Sequence, residues 1–551
     1  MDLKSFTSSK YQNLKTIINN YDLNEFIKLD SATFLKLAGS SLIGLGIIYL
    51  FKIWYSYRIF KRLGVKHVNY NFFYGNYKEL LERKSNSNLI REWSEKYGKT
   101  YGYFEGHMPI LVTSDLDIIQ EIFIKQHSNF SAKKKRIVAA SDDHPSVNLI
   151  NSVGLRWKRM RNIMNPTFSS AKMRELSPDL VKCTDRLIEI LENEQEKEIN
   201  ITNFLKRFTM DSIWNCAFGV DANIQYNPDN EYFVKCEKTF QLLGKPDNLP
   251  TLIGMYFHEF RSITFSIMNL MNKFLSKFID MGSRVPTFWF MNRVFQIVDK
   301  RKADGIRKRD YLQLLIDAEG HDFKDEKLTD KNFTNFHIEK KMTIDEIKTN
   351  VTLFMFAGYE TTSTMLSFSI HTLAKYQDQQ KRVHEEIKSF FDSEKDSTID
   401  SDSVQKLEYL DLFIKEVMRF YPIGPMTRRC TKETNVKGIN IPKDLVIAVD
   451  TLSIHFDAEN WGPVDPNEFY PERFSKETKR HPCAFMGFGA GPRNCIGMKF
   501  ALIELKIALC KLILKHEFLP LPEDKQEVEI YEMFIRTPKN GVTATFRKRK
   551  D

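Results

Sequence analysis

The chain has 551 residues, a formal net charge of +10, and 43 Phe against only 7 Cys. Such a length corresponds to roughly three or four average domains, yet no Gly/Ser-rich or Pro-rich tract and no internal repeat divides it. The positive charge is spread along the chain rather than gathered in an arm, which points to a basic surface or to docking of an acidic protein or anionic lipid. Nucleic-acid binding has no supporting motif. The cysteines are odd in number, widely spaced and form no C-x-x-C, which argues against a disulfide framework or a structural zinc site and fits a reducing compartment. Walker, H-E-x-x-H and post-strand G-x-G-x-x-G patterns are missing, so the chain shows no nucleotide-binding module of its own.

From the N-terminus, residues 1–32 read as a polar leader. Leu37 to Phe51 carries no charge and is flanked by Lys36 and Lys52. That run alone spans ~22 Å, short of a ~30 Å hydrocarbon core. Phe34, Leu35, Ile53, Trp54 and Tyr55 lengthen it enough for a thinner bilayer such as that of the endoplasmic reticulum, with the lysines snorkelling. Residues 33–57 are therefore expected to be a transmembrane anchor, with a buried core helix as the competing reading. Arg58, Lys61, Arg62 and Lys66 follow, and no acidic residue appears before Glu79, so the positive-inside rule puts the downstream chain in the cytoplasm. A cleaved signal peptide fits poorly after so long a polar leader, and a mitochondrial presequence fits poorly with Asp2, Asp22, Glu25 and Asp30. Residues 58–75 are expected to form a linker and 76–551 one large domain.

Trp157 and Arg161 stand at i, i+4 in Gly154-Leu-Arg-Trp-Lys-Arg-Met-Arg-Asn-Ile-Met164, which places an indole N–H and a guanidinium on one helical face. Basic helices most often simply face solvent. The polar run from Gly320 to Lys341 is the best candidate for a break, and it is short enough for a surface loop between helices. Next, Thr343 and Glu346 make the T-x-x-E of a capping box. Ile344, Ile347, Val351, Phe354, Gly358 and Thr361 then recur at helical spacing through Phe368. Within this helix lies Ala357-Gly-Tyr-Glu-Thr-Thr362. Gly358 costs a helix interior about 1 kcal/mol relative to Ala, which is explained if a small ligand lies against the backbone there. Glu360 and Thr361 offer an acid and a hydroxyl beside it.

Glu416 and Arg419 sit at i, i+3 in an amphipathic helix that Pro422 ends; by themselves they read as an ordinary surface ion pair worth a few tenths of a kcal/mol. The last constellation is Phe488-Gly-Ala-Gly-Pro-Arg-Asn-Cys-Ile-Gly497. Gly489, Gly491 and Pro492 demand a tight loop in which backbone approaches something closely. Cys495 follows, at the expected start of an apolar helix through Phe500, Leu502, Leu505 and Leu509. Helix-start N–H groups and nearby Arg493 are expected to lower its pKa toward thiolate.

The pattern F-x-x-G-x-R-x-C-x-G resembles the haem-binding signature of the cytochrome P-450 family, and it is highly specific. The resemblance extends over roughly residues 75–545, with the landmarks in the family's order, and is closest to the microsomal drug- and steroid-oxidising branch. It implies a mainly α fold with small β-sheets, a single haem domain behind an N-terminal transmembrane helix. It implies haem b ligated by the Cys495 thiolate, with Phe488 in the signature loop, and a propionate site from Trp157, Arg161, Arg493 and Arg428 (neighbouring Arg429 being the alternative to Arg428). Ala357, Gly358, Glu360 and Thr361 resemble the distal oxygen-activating helix, the last two as proton relay. Glu416, Arg419 and Arg473 of Pro471-Glu-Arg-Phe474 resemble the family's structural E-x-x-R set. The proline-rich hinge usual after the anchor is missing, since Lys66 to Tyr74 holds no Pro.

What the resemblance implies chemically is insertion of one atom of O₂ into an apolar substrate (sterol, fatty acid, terpenoid or xenobiotic), with the other atom leaving as water. Electrons would come from a membrane-bound NADPH-dependent flavoprotein reductase, with a small b-type cytochrome as a further donor. Lys158, Arg159 and Lys499 are its candidate contacts. Ser131 to Asn151, Leu242 to Phe265, the distal helix and Ile423 to Thr427 are the expected substrate-contacting segments. Two alternatives stay open: a haem-thiolate isomerase of lipid peroxides, and a non-catalytic haem-binding sensor.

Overall fold

The computed structural model describes residues 31–135, 142–243, 249–275, 286–320, 339–394, 398–532 and 535–550. The chain forms two units, residues 1–59 and 60–551. In the first, Ser31–Tyr57 is one helix of 27 residues, ~40 Å long and so longer than a ~30 Å hydrocarbon core. Leu42, Ile43, Ile47 and Ile48 on it are exposed. Among the described residues, one helix is long and apolar enough to cross a membrane, and it is this one. The leader expected over 1–32 lies almost wholly outside the described residues.

The second unit is mainly helical with small sheets, as expected. Its longest helix, Ile344–Lys375, opens on the expected capping box: Glu346 N–H donates to Thr343 Oγ1 at 3.2 Å and Thr343 N–H donates to Glu346 Oε2 at 3.1 Å. Arg156 and Arg159 also reach Glu346, at 2.8 and 2.9 Å, and tie the helix start to the Gly154–Met164 helix. The helix runs past Phe368, where the apolar spacing fades. Ser369 and Thr372 donate back to the carbonyls of Met365 and Phe368 at 2.8 Å, so their hydroxyls are satisfied inside a buried stretch.

This helix is the axis of the core. Its N-terminal half packs with the Gly154–Met164, Ile201–Phe218 and Pro286–Asp304 helices. Its C-terminal half packs with Ser170–Leu191, Gln377–Ser393, Glu408–Phe420 and Met498–Lys515. Phe354 touches both clusters. Of the polar run from Gly320 to Lys341, residues 321–338 lie outside the described residues. Its ends meet, with Gly320 N–H donating to Met342 O at 3.0 Å.

A four-stranded sheet flanks the helices. Its strands are β1 (Thr100–Glu105), β2 (Met108–Thr113), β3 (Met426–Arg429) and β4 (Val446–Val449), in the order β1-β2-β4-β3. β2 and β4 run parallel with Ile110 opposite Val446, and β3 is antiparallel to β4 with Arg428 opposite Ile447.

Glu416 and Arg419 overturn the reading of an ordinary surface pair. Neither is exposed at all, Arg419 grips Glu416, and Arg473 adds a contact at 3.4 Å. The three thus form a buried set, as the resemblance implied.

Candidate active site

The loop before the last long helix is built by two glycines with positive φ, Gly489 at 77° and Gly491 at 69°. A Cβ on Gly491 would overlap the Phe123 carbonyl oxygen, so this is the expected close backbone approach. Cys495 N–H donates to Phe488 O at 2.8 Å and Asn494 N–H to Gly491 O at 3.0 Å, which closes the loop on itself. The loop presents Cys495 to a chamber of about 330 Å³, deep between the distal helix and the strand β3. The sulfur is open to this chamber while the surrounding protein encloses it.

Cys495 lies two residues before Gly497, the N-cap of the Met498–Lys515 helix, so of the expected helix-start groups it is the Gly497 N–H that reaches the thiol. Burial raises the thiol pKa, opposed by the Gly497 N–H and then by the charges of Lys133 and Arg161. Arg493 contributes nothing, since its guanidinium turns to the carbonyls of Ser131, Leu149, Ile150 and Ser152. A depressed intrinsic pKa is not required for metal ligation, because a coordinating thiol is deprotonated by the ion that it binds.

Opposite the loop, Ala357 and Thr361 of the distal helix line the chamber, and Thr361 Oγ1 donates to Ala357 O at 2.6 Å. Gly358 does not. Its missing side chain makes room for Ile213, whose Cδ1 would lie 2.8 Å from an added Cβ, so helix packing and not a ligand explains this glycine. Glu360 also points elsewhere: its carboxylate is 3.4 Å from Lys206 Nζ on the Ile201–Phe218 helix. Burial raises its pKa and Lys206 opposes that rise. Of the expected relay pair, the structure brings Thr361 to the chamber and leaves Glu360 behind the helix.

The basic residues converge. Trp157, Arg161, Arg428 and Arg493 all line the chamber. Arg161 donates to Asn494 O at 2.8 Å and Asn494 Oδ1 at 2.9 Å. Arg428 donates to Thr427 O at 2.9 Å and stacks 4.1 Å from the Phe123 ring. Arg493 sits 5.0 Å from the Trp157 ring. Among the described residues, none of the three guanidiniums has a carboxylate partner. Burial pulls Arg428 down to about 9 and Arg493 well below its usual value, the latter also through the charges of Arg428 and Arg161. Buried cations held only by carbonyls call for an anion.

Alternation along β3 settles which of two arginines belongs here. Arg428 lines the chamber; Arg429 pairs with Asp142 at 2.8 Å and Asp444 at 2.6 Å. Lys133 lines the chamber too; it falls in the expected segment Ser131 to Asn151, within the basic run Lys133-Lys-Lys-Arg136, but is not among the expected propionate contacts. Leu149, Ile150 and Ile423 to Thr427 join the wall as expected, whereas the described part of Leu242 to Phe265 does not. Arg159 is not a docking contact, being 2% exposed and bound to Glu346. Lys499 is exposed and Lys158 half-buried.

The donor set fits a haem: one sulfur, an apolar lining, and guanidiniums without a carboxylate partner among the described residues, suited to two propionates. The helical fold with its small sheets and this cysteine-lined chamber define a haem-thiolate enzyme. The cytochrome P450 family model matches residues 68–544, and the chain belongs to that family. It is 31% identical over 506 residues to cytochrome P450 3A12 of Canis lupus familiaris, covering 91% of this chain and 94% of that protein. Over 511 residues it is 30% identical to cytochrome P450 3A9 of Rattus norvegicus, covering 90% and 93%. With cytochrome P450 3A5 of Homo sapiens the identity is 29% over 508 residues, 91% and 94% of the two chains. The protein is thus a haem monooxygenase, an oxidoreductase whose cofactor is haem b on a cysteine thiolate.

Proposed function

We propose that Cys495 is the thiolate ligand of the haem iron. In this reading Trp157, Arg161, Arg428, Arg493 and Lys133 hold the propionates, and the protein oxidises an apolar small molecule such as a sterol, fatty acid, terpenoid or xenobiotic. The observation that carries this reading is that Cys495 and Thr361 line one chamber together with Lys133, Arg161, Arg428 and Arg493, and that among the described residues its lining holds no carboxylate. When bound, the haem supplies oxygen activation, one oxygen atom entering the substrate and the other leaving as water. The chain's own residues do the rest. Phe354, Met365, Met418 and Ile423 form an apolar lining that excludes water and orients the substrate. Thr361 holds a hydroxyl proton at the chamber wall, while Glu360 is turned away to Lys206.

Two electrons have to come from outside. An NADPH-dependent flavoprotein reductase, with a b-type cytochrome as second donor, is the proposed source, and the basic side near Lys158 and Lys499 is its proposed dock. Ser31–Tyr57 is the proposed single-pass anchor in the endoplasmic reticulum, with the haem domain on the cytoplasmic face; the expected linker 58–75 shrinks to its first residues, because Phe60 and Val68 are buried and residues 60–551 form one compact unit. The ferrous protein with carbon monoxide tests the ligand. It should show the long-wavelength Soret band of a sulfur-anion-ligated haem, and Cys495→Ala should abolish it. A band that survives the substitution refutes the assignment.

A further inference from the structure

Glu504 is fully buried on the Met498–Lys515 helix, and neither of its carboxyl oxygens has a hydrogen-bond partner. Two hydroxyls face it: Ser212 of the Ile201–Phe218 helix and Thr362 of the distal helix. Both are close enough to favour the ionised form slightly, yet neither completes a hydrogen bond, and Ser212 Oγ is itself without a partner. The other buried acids near the axis are compensated. Glu416 has Arg419 and Arg473, Glu346 has Arg156 and Arg159, and Asp211 accepts the amides of Ile224 and Gln225. Among the described residues no cation acts on Glu504, and burial pushes it up to about 8. An uncompensated charge in such a place is too costly to keep, so the group is a neutral acid at neutral pH. Thr362, which it faces, lines the chamber beside Thr361, and so does Leu505 next to it in sequence.

We propose that Glu504 is a proton-holding positioning residue: it donates its carboxyl proton to the Thr362 hydroxyl while that hydroxyl releases its own proton toward the chamber. One O–H bond breaks at Glu504 and one forms at Thr362 Oγ1. The O–H bond that Thr362 held breaks as its proton passes to chamber water and is consumed as O₂ is reduced; between turnovers the carboxylate is reprotonated by a bulk-solvent proton that enters through chamber water and Thr362. This gives the distal wall a proton source behind Thr362, separate from Glu360, which Lys206 holds on another face. The proposal rests on the monooxygenase reading above.

Two measurements test it. Infrared difference spectra of the protein against Glu504→Gln should show a protonated-carboxyl band at neutral pH that belongs to Glu504. This readout does not depend on turnover, and its absence overturns the proposal. In reconstituted turnover, Glu504→Gln should keep the carbon monoxide signature. Its product formed per NADPH should fall by roughly tenfold, with a larger solvent isotope effect, and Glu504→Asp should restore part of the loss. Unchanged coupling and isotope effect in Glu504→Gln overturn the proposal while leaving the Cys495 assignment standing. Loss of the carbon monoxide signature in the parent protein is what would sink that assignment instead.

Discussion

Arg419 holds Glu416 through two hydrogen bonds of 2.8 Å each, and both side chains are wholly buried. Its third nitrogen, Nη1, donates to the His455 carbonyl at 2.6 Å, and Nη2, shared with Glu416, also donates to that of Pro466 at 2.9 Å. One guanidinium therefore joins the Glu408–Phe420 helix to the segment that leads to the cysteine loop. Removing Glu416 leaves Arg419 and Arg473 buried without their carboxylate, and removing Arg419 leaves Glu416 with Arg473 alone at 3.4 Å, each at a cost of about 3–5 kcal/mol. Glu416→Gln and Arg419→Leu are expected to lower stability by that amount and to reduce haem incorporation, measured by urea unfolding and by haem-to-protein absorbance ratio. Arg419→Lys should not rescue, because an ammonium cannot make the forked contact.

The neighbours Arg428 and Arg429 give a paired test. Arg428→Leu removes a buried cation from the chamber edge and is expected to weaken haem retention, read as faster haem loss to apomyoglobin. Arg429→Leu breaks contacts to Asp142 and Asp444 outside the chamber and should leave haem loss unchanged, with a stability change of about 1 kcal/mol. Equal haem-loss rates in the two variants would contradict the assignment of Arg428.

Gly358 tests helix packing against ligand clearance. An added methyl gains about 1 kcal/mol of helix propensity but meets Ile213 Cδ1 at 2.8 Å. Gly358→Ala should therefore leave the parent no more stable, whereas in an Ile213→Ala background, which removes both Cδ1 and the Cγ1 at 3.2 Å, it should add about 1 kcal/mol. Thermal unfolding of the four proteins measures the coupling. Additive effects would show that Ile213 is not what the glycine accommodates.

Two buried groups shape the pH dependence of stability in opposite senses. His455 donates from Nδ1 to Arg419 O at 3.0 Å and accepts the Met486 N–H at Nε2 at 3.1 Å, so it is neutral, and burial lowers it to about 3. Its contribution is complete above an unfolded value of ~6.5 and is lost as pH falls below that toward 3. Glu504 is raised to about 8, so its contribution is complete below an unfolded value of ~4.3 and is lost as pH rises through 8. Urea midpoints should peak between these limits, and Glu504→Gln should flatten the alkaline limb. An alkaline limb that the substitution leaves unchanged would assign that loss to other groups.

By itself the sequence determined what depends on neighbours along the chain. The Thr343–Glu346 cap, the Gly489 and Gly491 loop and the apolar run after Lys36 are all local, as is the ten-residue signature around Cys495. Each is a matter of a few dihedrals or of helical spacing, so residue type at fixed separation is enough. Tertiary packing decided the rest. It turned Gly358 toward Ile213 and Glu360 toward Lys206, sent Arg428 inward and Arg429 outward, buried Arg159 against Glu346, and left Glu504 without a cation among the described residues. A helix or strand offers several faces, and which one meets the chamber depends on partners hundreds of residues away. Burial, which sets the charge state of every group concerned, exists only once those partners are in place.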